Sequence, residues 1–182
     1  MKHFELLRRE KLYSGNIINL VVDHVRYSSG NEAVHEIIEH QGGGVVLAVF
    51  NNDDILLVRQ HRYPIGDDVI ELPAGKLDPG EDPQKCAERE LREETGYVAS
   101  RWTRLTTIMT TPGFCNERLH IYMAQGLASS PDGQALEEGE QTIKVLRVPL
   151  VEALAMIERG EIVDGKTISG IFLGERMLRR HR

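Results

Sequence analysis

Residues 75–97 read GKLDPGEDPQKCAERELREETGY, a stretch that is unusually rich in carboxylates. Asp82 is a good helix N-cap, and Pro83 suits the first helical position. Nothing breaks a helix from there to about Glu94, and Gly96 is placed to end it in a left-handed conformation. The stretch is therefore predicted to form a loop, a helix and a second loop.

The predicted helix carries several glutamates on one face. Glu90 and Glu94 are four residues apart, and Glu93 lies beside them. Like charges at this spacing destabilise a helix, so a divalent cation is the expected compensation. Oxygen-only ligands favour a hard ion, Mg²⁺ or Mn²⁺. From these three residues alone, a solvated charged helix is the alternative.

The spacing of the whole stretch resembles the Nudix box, the signature of the Nudix hydrolases. Its fixed positions are Gly75, Glu81, Arg89-Glu90-Leu91, Glu93-Glu94, Gly96 and the apolar Tyr97. The implied fold is α/β (α+β), the Nudix fold, with a mixed β-sheet sandwiched between helices and an N-terminal strand-rich segment. In that family the helix holds divalent metals on the diphosphate of a nucleotide.

The resemblance also implies a role for each position. The metal ligands would be Glu90, Glu94, Glu93 and the backbone carbonyl of Ala74. The structural positions of the box would be Gly75, Glu81, Arg89 and Gly96.

Two further features resemble the subgroup that hydrolyses ADP-ribose and other nucleoside diphosphate sugars. One is the run Glu71–Leu77, ELPAGKL, and the other is Pro112, sixteen residues after Gly96. The implied reaction is metal-dependent hydrolysis of the pyrophosphate bond, giving a nucleoside monophosphate and a sugar phosphate. GDP-mannose is a related substrate. Dinucleoside polyphosphates or oxidised nucleoside triphosphates are alternatives, as is a non-catalytic nucleotide-binding module.

In that subgroup the general base is a glutamate on the long loop before the final strand. Here residues 126–142 are polar and carry Glu137, Glu138 and Glu140. Glu140 fits best and Glu138 is the runner-up, while Glu93 would take the role if the loop carries no base. A solvated acidic loop is the alternative interpretation.

Four residues outside the box are predicted to bind substrate. Arg59 and Arg62 cluster where a strand meets a loop, although a surface basic patch would look the same. Glu71 is close in sequence to the metal site, and Glu117 follows Pro112 in a loop, where a lone glutamate often has no such role.

The chain has 182 residues, 41% of them hydrophobic, which suits one substantial domain with a small appendage. Residues 1–41 are predicted to be a β segment with a hairpin turn at Ser28–Asn31, and residues 42–182 the hydrolase domain. Buried strands at 44–50 and 55–59 are predicted to form a second hairpin. Because N-terminal strands of the resembling subgroup pair between subunits, the segment predicts a homodimer.

The formal net charge of −6 argues against a nucleic-acid partner. Cys86 and Cys115 lack metal-ligand spacing and are typical of reduced thiols in an intracellular protein. No apolar run reaches the roughly 18 residues that span a bilayer, so we expect no membrane association. The predicted location is cytoplasmic.

Overall fold

The computed structural model describes residues 3–136 and 138–180. Glu137, one of the three loop glutamates, lies outside the described residues. The chain divides into two compact units, one of residues 1–42 with 109–118 and the other of residues 43–108 with 119–182. Within the described ranges, none of the helices combines the length and the apolar character needed to cross a membrane.

The first unit is a three-stranded antiparallel sheet in the order β1-β2-β3. Its strands are β1 (Phe4–Ser14), β2 (Ile18–Tyr27) and β3 (Glu32–His40). Gly30 adopts a positive φ of 88° in the turn that was predicted between β2 and β3. β1 lies within the segment that was predicted to be β, although only the two later runs, at 17–27 and 33–39, were predicted as separate strands.

Among the residues that the structure describes, the second unit contains two sheets and three α-helices. One sheet has the order β10-β5-β6, and the other has the order β7-β4-β9-β8. The strands are β4 (Gly43–Ala48), β5 (Asp54–Arg62), β6 (Asp67–Glu71), β7 (Ala74–Lys76), β8 (Tyr97–Met109), β9 (Arg118–Ser129) and β10 (Lys144–Pro149). The helices are α1 (Pro83–Thr95), α2 (Leu150–Glu158) and α3 (Gly165–Arg180).

The predicted hairpin of β4 and β5 is wrong. The two strands share one isolated bridge, between Val49 and Ile55. β4 instead pairs in parallel with β9 and antiparallel with β7, while β5 lies between β6 and β10. Because both strands are apolar on both faces, their sequences do not indicate which strand is the neighbour.

Alternate residues of β4 face two different apolar clusters. Val45 and Leu47 pack in the cluster that includes residues of α2 and α3. Val46 and Ala48 pack in the cluster that includes Leu91 of α1. Helices therefore cover both faces of the sheet around β4, and pairing with β7 and β9 makes that sheet mixed, which confirms the predicted fold class.

The box helix α1 has the predicted ends and packs closely on β4. The Asp82 carboxylate accepts from the amides of the first turn, and Gly96 takes a φ of 73° at the C-terminus. At Gly44, a Cβ atom would lie 2.7 Å from the backbone nitrogen of Ala87. Only glycine lets the helix backbone approach the strand this closely, so Gly44 helps to set the position of the box carboxylates.

Candidate active site

Three carboxylates converge in the second unit. Glu90 and Glu94 lie on the buried side of α1, with 5% and 2% of their surface exposed. Glu140 is half-buried, and one carboxylate oxygen from each of the three residues lies within 4.8 Å of the others. Oxygen atoms at this spacing can share one divalent cation, so the donor chemistry fits a hard metal ion.

The loop that carries Glu140 is tied to the C-terminal end of α1. The Ala135 amide donates to the Glu93 carbonyl at 3.0 Å, and the Gln134 side-chain amide donates to the Glu94 carbonyl at 2.5 Å. These bonds satisfy carbonyls that a helix end leaves without partners. Glu138–Glu140 then form one 3₁₀ turn, in which Glu138 is exposed and Glu140 joins the cluster.

Burial dominates the electrostatics of the cluster. It raises the pKa of Glu90 to about 7, an effect that the adjacent Arg89 charge opposes. The pKa of Glu94 is raised to about 8, mainly by burial and next by the charge of Glu90. A 3.0 Å hydrogen bond from the Ala74 amide acts in the opposite direction. The charge of Glu140 raises both values further. Without a cation, the site therefore holds protons near neutral pH.

The loop before α1 is shaped around these carboxylates. A Cβ atom on Gly75 would overlap the carboxylate of Glu90. Arg89 donates to both oxygens of Glu81, each at 3.2 Å, and to the Lys76 carbonyl at 3.1 Å. These contacts join the loop to the helix and fix the direction in which Glu90 points.

Two predicted ligands are placed differently from Glu90 and Glu94. Glu93 is bound by Arg89 at 3.2 Å and by Arg92 at 2.8 Å, and it is not a member of the three-carboxylate cluster. Ala74 contacts the site through its amide, whereas the prediction concerned its carbonyl. Ligand roles for Glu93 and for the Ala74 carbonyl remain predictions.

Arg62 and Glu71 are paired beside the cluster. The Arg62 guanidinium donates through Nε and Nη2 to the two carboxylate oxygens of Glu71, each at 2.7 Å. Glu71 also accepts from Lys166, and Lys166 contacts Asp164 at 3.0 Å. Burial acts to raise the pKa of Glu71, but Arg62 and Lys166 together hold it below its usual value.

Arg62 is linked electrostatically to the cluster as well. The Glu71 hydrogen bond is the main cause of its raised pKa, and the negative charges of Glu94 and Asp164 add to it. The Arg62 side chain remains 39% exposed, so a cation is presented to solvent in the field of a buried carboxylate.

The structure describes the other two predicted substrate residues in their own surroundings. Arg59 is exposed on β5, and strand alternation puts it on the opposite face from Arg62. Glu117 belongs to the first unit, where it contacts His40 at 3.2 Å and accepts from the Thr110 hydroxyl at 2.7 Å.

Sequence reasoning missed several residues of the site. Asp164 directly precedes α3 and Lys166 lies in its first turn. An aspartate at this position is a helix-capping signal, but nothing local connects either residue with Glu71, about a hundred positions earlier in the chain. Gln60, two residues before Arg62, is buried, and its side-chain oxygen has no hydrogen-bond partner among the described residues.

The chain matches known proteins over most of its length. Residues 40–169 match the model of the NUDIX domain. The chain is 39% identical over 165 residues to an ADP-ribose pyrophosphatase of Bacillus subtilis, which covers 91% of this chain and 89% of that protein. It is 38% identical over 165 residues to a methanol dehydrogenase activator of Bacillus methanolicus, and the match covers 91% of this chain and 89% of that protein.

A GDP-mannose pyrophosphatase of Citrobacter koseri is more distant. It is 31% identical over 174 residues, with 89% of this chain and 90% of that protein covered. A crystal structure described as an ADP compounds hydrolase superposes with a TM-score of 0.85. The superposition covers 100% of this chain and 97% of the other, and the two sequences are 21% identical. That likeness establishes the fold.

We predict that Glu94→Gln stabilises the metal-free protein at alkaline pH. The raised pKa means that the folded state binds a proton that the unfolded state releases above about pH 4.5. The free energy of unfolding therefore falls as pH rises through about 8. Glutamine keeps the acceptor for the Ala74 amide without the charge. In chelator, the melting temperatures of the two proteins should be closest at about pH 4.5. The variant should melt increasingly higher than the wild type as pH rises to about 8, and the difference should level off above that.

Glu88→Gln is the matched control, since Glu88 lies on the same helix but pairs with Lys85 in a more exposed position. It should show the pH response of the wild type. Added Mg²⁺ should raise the melting temperature of the wild type and of Glu88→Gln more than that of Glu94→Gln. A Glu94→Gln protein that loses stability between about pH 4.5 and pH 8 as steeply as the wild type would contradict the assignment.

Proposed function

The chain belongs to the NUDIX domain family, and on that premise we propose that it hydrolyses the pyrophosphate bond of nucleoside diphosphate sugars, ADP-ribose or a related compound such as GDP-mannose. The products are a nucleoside monophosphate and a sugar phosphate. The convergence of Glu140 with Glu90 and Glu94 carries the proposal, because it places two oxygen ligands for a hard cation on the box helix and a third carboxylate from a loop beside them. Relatives named ADP-ribose pyrophosphatase and GDP-mannose pyrophosphatase support the substrate class.

Glu90 and Glu94 are the proposed principal ligands of the metal, and Mg²⁺ is the proposed ion. Both side chains come from the rigid helix α1, and Arg89 and the Ala74 amide hold their directions. When bound, the ion neutralises phosphate oxygens and lowers the pKa of coordinated water. Since these carboxylates are protonated in part near neutral pH without metal, binding should release protons.

Glu140 is the proposed general base. It comes from a loop and not from α1, so it can orient a water molecule at the edge of the cluster. The water oxygen attacks one phosphorus, the bridging phosphorus–oxygen bond breaks, and Glu140 accepts the water proton. Glu138, exposed in the same 3₁₀ turn, is the alternative.

Arg62 is the proposed cation for the substrate diphosphate. Glu71 occupies its Nε and one hydrogen of Nη2, which leaves Nη1 to donate to phosphate oxygens. Arg59 and Glu117 stay as predicted contacts. Nucleic-acid binding is not proposed, in keeping with the net charge of −6, and the cytoplasmic location stays a prediction of the sequence.

A substrate panel tests the proposal directly. We expect the protein with Mg²⁺ to release a nucleoside monophosphate and a sugar phosphate from ADP-ribose, GDP-mannose or UDP-glucose. Diadenosine polyphosphates and nucleoside triphosphates should be poorer substrates by kcat/KM. The measurement is product release resolved by chromatography, with Glu94→Gln as the inactive control. Preference for triphosphates or dinucleotides would replace the proposed substrate class, and no turnover of any compound would reject enzymatic function.

We expect Glu140→Gln to lower kcat by about 100-fold or more, the usual scale for a general base. KM and the Mg²⁺ concentration for half-maximal activity should change little, because Glu90 and Glu94 remain. Initial rates measured over a range of substrate and Mg²⁺ concentrations separate these quantities.

Glu138→Gln is the control from the same turn and should have the smaller effect. A reversed order would make Glu138 the base. If Glu140→Gln instead raises the Mg²⁺ requirement as Glu94→Gln does, Glu140 is a metal ligand. Turnover within about threefold of wild type in both variants, far below the scale of a base, would leave the role to a box residue such as Glu93.

We also propose a homodimer formed through residues 1–41, with residues 42–182 as the catalytic domain. The first unit exposes apolar side chains along its sheet, including Phe4, Leu6, Leu12 and Val34, each at least half exposed. Such a surface is typical of an interface. Light scattering at micromolar concentration should give twice the chain mass of 20.5 kDa. A monomer mass would reject the dimer and leave the catalytic proposal intact.

A further inference from the structure

The N-terminal end of α3 holds a compact charged network. Asp164 precedes the helix, and its carboxylate accepts from the Thr167 amide at 3.0 Å and from the Thr167 hydroxyl at 2.6 Å. The same oxygen accepts from Lys166 at 3.0 Å. Lys166 also donates to Glu71, and its side chain is only 12% exposed. This lysine is therefore held between two carboxylates.

Two contacts connect this network to the strand that leads into the box. Lys166 binds the side chain of Glu71, whose two oxygens hold the Arg62 guanidinium. The Thr167 hydroxyl accepts from the Leu72 amide at 2.8 Å. Two residues further along, the Ala74 amide donates to Glu94. The segment between Glu71 and Ala74 therefore lies between the start of α3 and the carboxylate cluster.

α3, which carries Lys166 and Thr167, packs closely against the sheet. A Cβ atom on Gly170 would lie 2.5 Å from a Leu72 methyl carbon, and one on Gly174 would overlap Leu47. The helix thus packs on the sheet at a distance that larger residues would not allow. A helix fixed in this way can hold the Lys166 side chain in one place, since its backbone has little freedom to shift.

We propose that Lys166 is a positioning residue for substrate binding, acting through Glu71 to hold Arg62 towards the diphosphate. The inference rests on the proposed function and adds a residue to it. Lys166 is not the direct phosphate contact, because its ammonium group is already shared by two carboxylates and is nearly buried. Its effect reaches the substrate through the Arg62 guanidinium.

Charge balance gives the physical reason. Arg62 and Lys166 are two cations that face two carboxylates, Glu71 and Asp164. Without Lys166, the whole charge of the buried Glu71 falls on Arg62, and the group becomes net negative beside Glu94. Glu71 then neutralises Arg62 more completely and has itself lost the contact with Lys166 that helps to fix its position, so Arg62 attracts and orients an anionic diphosphate less well. Loss of Lys166 should therefore weaken substrate binding and raise KM.

The test measures KM, kcat and the Mg²⁺ requirement of Lys166→Met with ADP-ribose and GDP-mannose. We expect KM to rise by about tenfold, the lower end of the effects of outer-shell partners at ligand sites. kcat and the Mg²⁺ concentration for half-maximal activity should stay near wild type, since Glu140 and the box carboxylates are not touched. Arg179→Met, which removes an exposed cation from the same helix, is the matched control and should leave KM unchanged.

A double-mutant cycle shows whether Lys166 acts through Arg62. In an Arg62→Ala background, Lys166→Met should raise KM no further, because the group that it positions is already absent. If Lys166→Met does not yield folded protein, Lys166→Gln replaces it, since glutamine keeps a donor for Glu71 but no charge. The same rise in KM and the same non-additivity are expected.

Each outcome decides the inference. If the wild type is active and Lys166→Met alone leaves KM unchanged, the inference is overturned. It is also overturned if Lys166→Met still raises KM by about tenfold in the Arg62→Ala background. A fall in kcat with KM unchanged also overturns it, because that pattern indicates disturbed chemistry and not substrate positioning. If the wild type hydrolyses no compound of the panel, the proposed function fails and this inference fails with it.

Discussion

The burial of two glutamates on one turn of a helix is the constraint on which the second unit depends. Glu90 and Glu94 lose their hydration against an apolar sheet, and a third carboxylate, Glu140, faces them. Each effect raises the free energy of the ionised site, which is why their pKa values lie well above the usual range for glutamate. A divalent cation at the proposed metal site would relieve this cost, and the carboxylate oxygens there are the ligands that a hard ion prefers.

The surrounding structure serves to keep these carboxylates in place. Gly44 lets α1 lie on β4, and Gly75 leaves room for the Glu90 side chain. Arg89 joins the preceding loop to the helix, and the Ala74 amide directs Glu94. These contacts are mostly to backbone or charged groups, which restrict direction as well as distance. A preorganised acidic pocket of this kind suits phosphoryl chemistry, in which positioning and charge stabilisation do most of the work.

The start of α3 is joined through Glu71 to Arg62, the cation proposed to meet the substrate. Asp164 caps the helix and also engages Lys166, so one carboxylate joins a structural role to an electrostatic one. Through Glu71, the network reaches Arg62, a cation in the field of Glu94. Lys166 and Glu71, about a hundred positions apart in the chain, thus act together on the charge around Arg62. A substitution at the start of α3 is therefore expected to change substrate affinity.

The sequence by itself determined the box helix, its caps and the shared face of Glu90 and Glu94, because N-caps, left-handed glycines and residues four apart act over a few neighbouring positions. It also indicated the fold class, since a motif of fixed spacing resembles one family. It did not determine that β4 pairs with β9 and not with β5, since strands that are apolar on both faces fit several neighbours. Nor could it bring Glu140 to Glu94 or Lys166 to Glu71, because loop closure and helix docking depend on contacts made only when distant segments pack together.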